Sequence, residues 1–125
     1  MKLILVVDDD ENLRRMVSRL LESLGYAALT APDTATALEA LGSRPVDAVL
    51  LDVVLGAENG WEALRRMRDA GRVPVVMMSG ATMDEDAQRD AAAMEAQGVL
   101  QKPFTSGDLA DCLSGLFAGP PEERP

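Results

Sequence analysis

An α/β domain built on a parallel sheet is the fold class that the sequence predicts, and three observations predict it. Residues 3–7, 48–51 and 75–78 are continuous apolar runs of strand length, the pattern of strands buried on both faces. Between such runs, apolar residues recur at helical spacing, so that strand and helix alternate five times. This alternation implies right-handed crossovers with helices on both faces of the sheet. Each run also gives way to polar residues: Asp8 and Asp9, Asp52, and Ser79. With five strands the expected order is 2-1-3-4-5, a flavodoxin-like, doubly wound arrangement with its switch point between strands one and three.

Strand one (3–7) is followed by Asp10, which reads as the N-cap of the first helix. Leu13, Met16, Val17, Leu20, Leu21 and Leu24 form that helix's inward stripe, with Arg14, Arg15, Arg19 and Glu22 opposite. Gly25 stands where a C-cap glycine belongs. A short strand over 26–30 leads into Pro32-Asp33-Thr34, a turn with two candidate N-caps, and a small helix over 35–41 closed by Gly42. The central strand (47–52) ends in Asp52, and 56–60 reads as a loop. Trp61, Leu64 and Met67 face inward from the third helix, while Arg65, Arg66 and Arg68 face out. Gly71 and Pro74 separate that helix from strand four, 75–78. Thr82 to Glu85 has the form of a capping box, opening a helix to about residue 96 whose inner face (Ala87, Ala91, Met94) is weakly apolar. Strand five (98–101) precedes Lys102-Pro103-Phe104. Thr105 and Asp108 form another capping box, before Leu109, Cys112, Leu113, Leu116 and Phe117 on the final helix. Met16, Trp61, Met67, Met94 and Cys112 are expected in the core. Residues 1–118 are expected to form the one domain, and 119–125 a flexible tail.

Composition narrows the function classes. A chain of 125 residues with 47% hydrophobic and 26% charged residues suits one globular domain with a sizeable core. The formal net charge of −9 argues against direct contact with nucleic acid or an anionic membrane. A single cysteine, Cys112, excludes an internal disulfide and suits a reducing, cytoplasmic setting. With no histidine, the commonest general base and transition-metal ligand are both missing. No stretch has the length and apolarity of a membrane span.

The polar residues at the strand ends converge in this topology. Asp8 and Asp9 finish strand one, Asp52 finishes its neighbour, Ser79 ends strand four and Lys102 follows strand five. Clustered carboxylates raise one another's pKa unless a cation intervenes. An all-oxygen donor set on an open rim selects a hard ion, Mg²⁺ over Ca²⁺. With Lys102 and Ser79 nearby, the arrangement suits a phosphoryl group held by Mg²⁺, Lys102, Ser79 and neighbouring backbone N–H groups, those of Gly80 and Val53. Asp52 would be the nucleophile that carries it.

Val6-Val7-Asp8-Asp9-Asp10, Leu50-Leu51-Asp52-Val53-Val54-Leu55, Met78-Ser79-Gly80 and Lys102-Pro103-Phe104, in this order on successive strand ends, resemble a response-regulator receiver domain over about residues 3–118. The resemblance implies Asp52 as phosphoacceptor, Asp9 as a direct Mg²⁺ ligand, Asp8 as an acid reaching the metal through water, and Val54 as a ligand through its backbone carbonyl. It implies Ser79 as the switch hydroxyl, Lys102 as the phosphate-binding lysine, and a cis peptide before Pro103. Three positions depart from the family's habit. Val99 stands where Tyr or Phe is common and is the second switch position, Gly56 where Pro is frequent, and Gly80 where Ala is frequent.

The function so implied is acceptance of a phosphoryl group from a sensor histidine kinase or phosphotransfer protein, followed by a shift of the fourth helix and its neighbourhood. The partner downstream would be an effector protein or a C-terminal output domain, since the segment after Phe117 is too short to contain one. The last helix has no Lys or Arg, which favours a monomer or weak dimer. Two other readings compete. A Mg²⁺-dependent aspartate-nucleophile phosphohydrolase would need an acid two positions after Asp52, where Val54 stands, and an insertion to form a cap. A pseudo-receiver that only binds partners would not need Asp52, the acid pair and Lys102 together. Flavin binding is disfavoured because the loops lack stacking aromatics.

Overall fold

The computed structural model describes residues 1–80, 89, 93 and 95–118. Seven strands and four helices occur among them: β1 (Leu3–Val7), α1 (Glu11–Ser23), β2 (Ala27–Ala31), α2 (Thr34–Ser43), β3 (Ala48–Asp52), β4 (Val54–Leu55), β5 (Glu58–Asn59), α3 (Gly60–Ala70), β6 (Val75–Ser79), β7 (Gly98–Gln101) and α4 (Ser106–Ala118). The five longer strands form one parallel sheet in the order β2-β1-β3-β6-β7, the predicted 2-1-3-4-5. Most of the helix read over 82–96, including its Thr82 capping box and Met94, lies outside the described residues, as does the tail over 119–125.

Alternation along the strands divides the core into two layers. Leu5, Val7, Val49, Leu51, Val75 and Met77 pack with Leu64 and Met67 of α3 on one face. Ile4, Val6, Leu50, Val76 and Met78 pack with Val17 and Leu21 of α1 and Leu109 and Leu113 of α4 on the other. All of these side chains are at most 1% exposed, and burial of each stabilises the fold by about 1.5–3 kcal/mol. β1, β3 and β6 read as unbroken apolar runs because they are buried on both faces.

Local chemistry sets the element ends. Asp10 caps α1 by accepting from Asn12 N and Leu13 N, and Gly25 (φ 92°) supplies the left-handed residue after its C-cap. Asp33, not Thr34, caps α2. Thr105 and Asp108 make the expected reciprocal box before α4. The carboxylate of Asp47 accepts from Leu3 N at 2.8 Å, which pins β1 beside β3.

Several expectations need correction. Gly42 does not close α2, which runs to Ser43 and ends at the extended Arg44. Met16 is 47% exposed rather than core, because α1 turns Val17 and Leu21 to the sheet and leaves Met16 on the rim. Within the segment read as a loop, Glu58 and Asn59 pair antiparallel with Leu55 and Val54 as a small hairpin. Arg68 is half-buried, donating to Glu95 O and Gln97 Oε1. Trp61 is only partly buried, although it packs against the core as Cys112 does.

Candidate functional site

The register of the sheet brings the polar strand ends together. Val7 pairs with Leu51, so Asp8 follows at the same level as Asp52. Asp52 pairs with Met78, one residue before Ser79, and Ser79 pairs with Gln101, one before Lys102. Together with Asp9, Asp10, Val53, Val54 and Gly80 these residues line one cleft of about 540 Å³. Asp8, Asp52 and Ser79 are 1%, 6% and 5% exposed, whereas Asp9 is open to solvent.

Lys102 reaches across two strands. Its Nζ lies 2.5 Å from Asp52 Oδ2 and 3.0 Å from Asp8 Oδ2, and its backbone N–H donates to Ser79 O at 2.7 Å. The peptide between Lys102 and Pro103 is cis. Burial alone would push the Lys102 ammonium down, but hydrogen bonds to Asp52 and Asp8 and their charges outweigh it and hold its pKa above the ordinary value. Burial pushes the Asp8 carboxyl up to about 6, and a hydrogen bond with Asp52 adds to this, against the opposing pull of the Asp10 N–H and Lys102. Asp8 Oδ1 accepts that N–H at 2.9 Å. Arg14, read as an outward residue, donates to the Asp8 carbonyl at 2.7 Å and steadies the turn from β1 into α1.

Carboxylate oxygens of Asp8, Asp9 and Asp52 lie within 4.8 Å of one another. Three converging acids, one pushed toward protonation, balanced inside the cleft by a single lysine, are a donor set suited to a divalent cation of the hard, oxygen-seeking kind. The residues present fit such an ion.

The backbone after Asp52 corrects one expectation. Val53 lines the cleft, but its N–H already donates to Met78 O at 2.9 Å. It is therefore not a donor for a phosphoryl group. The N–H that faces the acid is that of Val54, 2.9 Å from Asp52 Oδ1. Val54's own side chain is 63% exposed and apolar. Gly80 is exposed, and among the described residues nothing lies within 4 Å of where a Cβ would stand. Val99 is half-buried against the core on the α3 side.

Gly60 was read as an ordinary loop residue, yet it governs the acid's position. A Cβ there would fall 2.1 Å from Asp52 O, and its N–H donates to Val53 O at 2.8 Å. Only glycine permits this approach. The signal available in the sequence was a lone glycine eight residues after the acid, where α3 begins.

Comparison with known proteins places the chain among relatives. A family model described as response regulator receiver domain matches residues 4–114. The transcriptional regulatory protein CpxR of Escherichia coli is 33% identical over 117 residues, 94% of this chain and 50% of that protein. The phosphate regulon transcriptional regulatory protein PhoB of Pseudomonas aeruginosa is 35% identical over 119 residues, 93% of this chain and 52% of that protein. The chain thus spans about half the length of the curated relatives it matches. Among solved structures, the chemotaxis protein CheY4 of Vibrio cholerae superposes with a TM-score of 0.86 at 30% identity, covering 92% of this chain and 98% of that one. Among the described residues no helix is long and apolar enough to cross a membrane.

Proposed function

The chain belongs to the response-regulator receiver-domain family of two-component systems, and from that premise we propose that it is a phosphorylation-controlled signalling module with Asp52 as its acceptor. The convergence of Lys102 and the acid pair on Asp52 carries this reading. A carboxylate oxygen of Asp52 attacks the phosphorus of a phosphohistidine on a sensor kinase or phosphotransfer protein. The P–N bond breaks, the imidazole leaves with the electron pair, and an acyl phosphate remains on Asp52.

Asp9 and Asp52 directly, Asp8 through water, and the Val54 carbonyl would hold Mg²⁺. When bound, that ion supplies neutralisation of the charge gathering on the transferring oxygens. Lys102, now on Asp52 Oδ2, is placed to exchange that partner for a phosphoryl oxygen. The Ser79 hydroxyl and the Gly80 and Val54 N–H groups offer hydrogen bonds to the others. Engagement of Ser79 would bias the segment that follows it, the helix expected over 82–96, and the surface around Val99. A downstream effector protein, or an output domain in the same polypeptide, would read the change. The domain turns over no foreign substrate and acts at most on its own phosphorylation and dephosphorylation.

Intact-mass spectrometry after incubation with acetyl phosphate or phosphoramidate tests this. The mass should rise by one phosphoryl group with Mg²⁺ and stay unchanged in EDTA. An equal rise in Asp52→Asn would refute the assignment.

A further inference from the structure

Glu58 opens β5, next to the turn of the β4–β5 hairpin, and reaches a helix distant in sequence. Its Oε1 accepts two hydrogen bonds from the first residue of α2, from Thr34 N at 2.9 Å and Thr34 Oγ1 at 2.7 Å. Thr34 is only 4% exposed. These bonds hold the Glu58 carboxyl below its ordinary pKa, so it stays charged at neutral pH. The same helix already has its own cap, since Asp33 accepts from Thr36 N at 2.8 Å. The Glu58 contact therefore does more than complete an N-terminus.

What it ties down is the hairpin. A ladder of two residues on each side does not persist on its own. Yet this one touches two of the three clustered acids. Val54, the first residue of β4, donates to Asp52 Oδ1. Gly56, at the turn, takes a left-handed conformation (φ 60°), and a Cβ there would stand 3.1 Å from Asp9 Oδ2. One anchor of the hairpin is Gly60, bonded to Val53 O, and the other is the Glu58–Thr34 pair.

We propose that Glu58, braced by Thr34, is a positioning residue that fixes the β4–β5 hairpin against Asp9 and Asp52 and so sets the site's affinity for its divalent cation. The inference rests on the proposed Mg²⁺-dependent reading of the cleft and deepens it. Glu58 touches neither the metal nor the phosphoryl group. It acts through the backbone of Val54 and the turn at Gly56.

Two measurements on the full chain test it: Mg²⁺ titration by calorimetry, and amide hydrogen exchange at Val54 without metal. Glu58→Ala should weaken Mg²⁺ binding about tenfold, the scale seen when groups that orient metal ligands are removed. It should also speed exchange of the Val54 N–H. Glu58→Gln keeps an acceptor oxygen and should restore both. Asp33→Ala uncaps the same helix without touching the hairpin; it should lower stability but leave both readouts near wild type. The proposal is overturned if Glu58→Ala matches wild type in both, or if Asp33→Ala reproduces both losses. Failure of the wild type itself to bind Mg²⁺ would overturn the reading of the cleft, while the exchange at Val54 would still decide the Glu58 contact.

Discussion

Replacing Asp8 by asparagine should stabilise the metal-free protein at neutral pH, and the gain should vanish in acid. Asp8 is 1% exposed, and burial first, with the hydrogen bond to Asp52 second, raises its pKa from 3.8 to about 6. A folded state that binds the proton more tightly than the unfolded chain is favoured at low pH. The contribution is fully present below about pH 4 and is lost as pH rises through about 6. At about 1.4 kcal/mol per pH unit, the loss is about 3 kcal/mol. Asparagine keeps the bond from Asp10 N through its amide oxygen but turns an NH₂ toward Lys102, which retains only Asp52. The net gain should therefore be smaller, about 1–2 kcal/mol at pH 7.5, or roughly 3–10 °C in Tm for a domain of this size. Asp33, Glu58 and Glu62, whose carboxyls are held low by hydrogen bonds, lose stability in acid in both proteins alike. The difference between the two curves isolates Asp8. Scanning calorimetry in EDTA from pH 4 to 8 measures it. Parallel curves for wild type and Asp8→Asn would refute the crowding argument.

Gly60→Ala places a methyl group 2.1 Å from Asp52 O, and denaturant unfolding should register a loss of about 3 kcal/mol or more; an unchanged midpoint would mean the turn simply shifts. Lys102→Ala removes the cation that bridges two buried acids. It should cost about 3–5 kcal/mol at pH 7.5 without metal, with much of the loss recovered below pH 5, where Asp8 is protonated; a loss independent of pH would count against the charge account. The exposed, apolar Val54 beside the acid offers no polar group to orient a hydrolytic water, so the phosphoprotein should persist for minutes or longer by time-resolved mass measurement. Decay within seconds would contradict this.

Much of the architecture was legible because burial on two faces leaves a mark in the sequence. β1, β3 and β6 are unbroken apolar runs, and the register Val7 to Leu51 then forces Asp8 beside Asp52. Where the signal was weaker, boundaries moved. Tyr26 was read as the start of a strand, but its N–H donates to Leu21 O, so it closes α1 and β2 begins one residue later. Met16 fits the helical spacing of the buried stripe, yet it lies where the stripe meets solvent, which spacing alone does not reveal. Val53 and Val54 are the same residue type. Which of the two N–H groups faces Asp52 depends on the alternation of hydrogen bonds with β6, a property of the backbone that side chains do not encode. Glu58 left no periodic trace because its partner, Thr34, is 24 residues away and the ladder that carries it is two residues long.

The central claim is that Asp52 alone carries the phosphoryl group. Borohydride reduces an acyl phosphate to the alcohol, so a phosphorylated aspartate becomes homoserine and can be located by peptide mass spectrometry. After acetyl phosphate and Mg²⁺, homoserine should appear at position 52 and at no other acid, and not at all when Mg²⁺ is withheld. Homoserine at Asp8 or Asp9, or a phosphoryl group that resists borohydride and maps to Ser79, would contradict it.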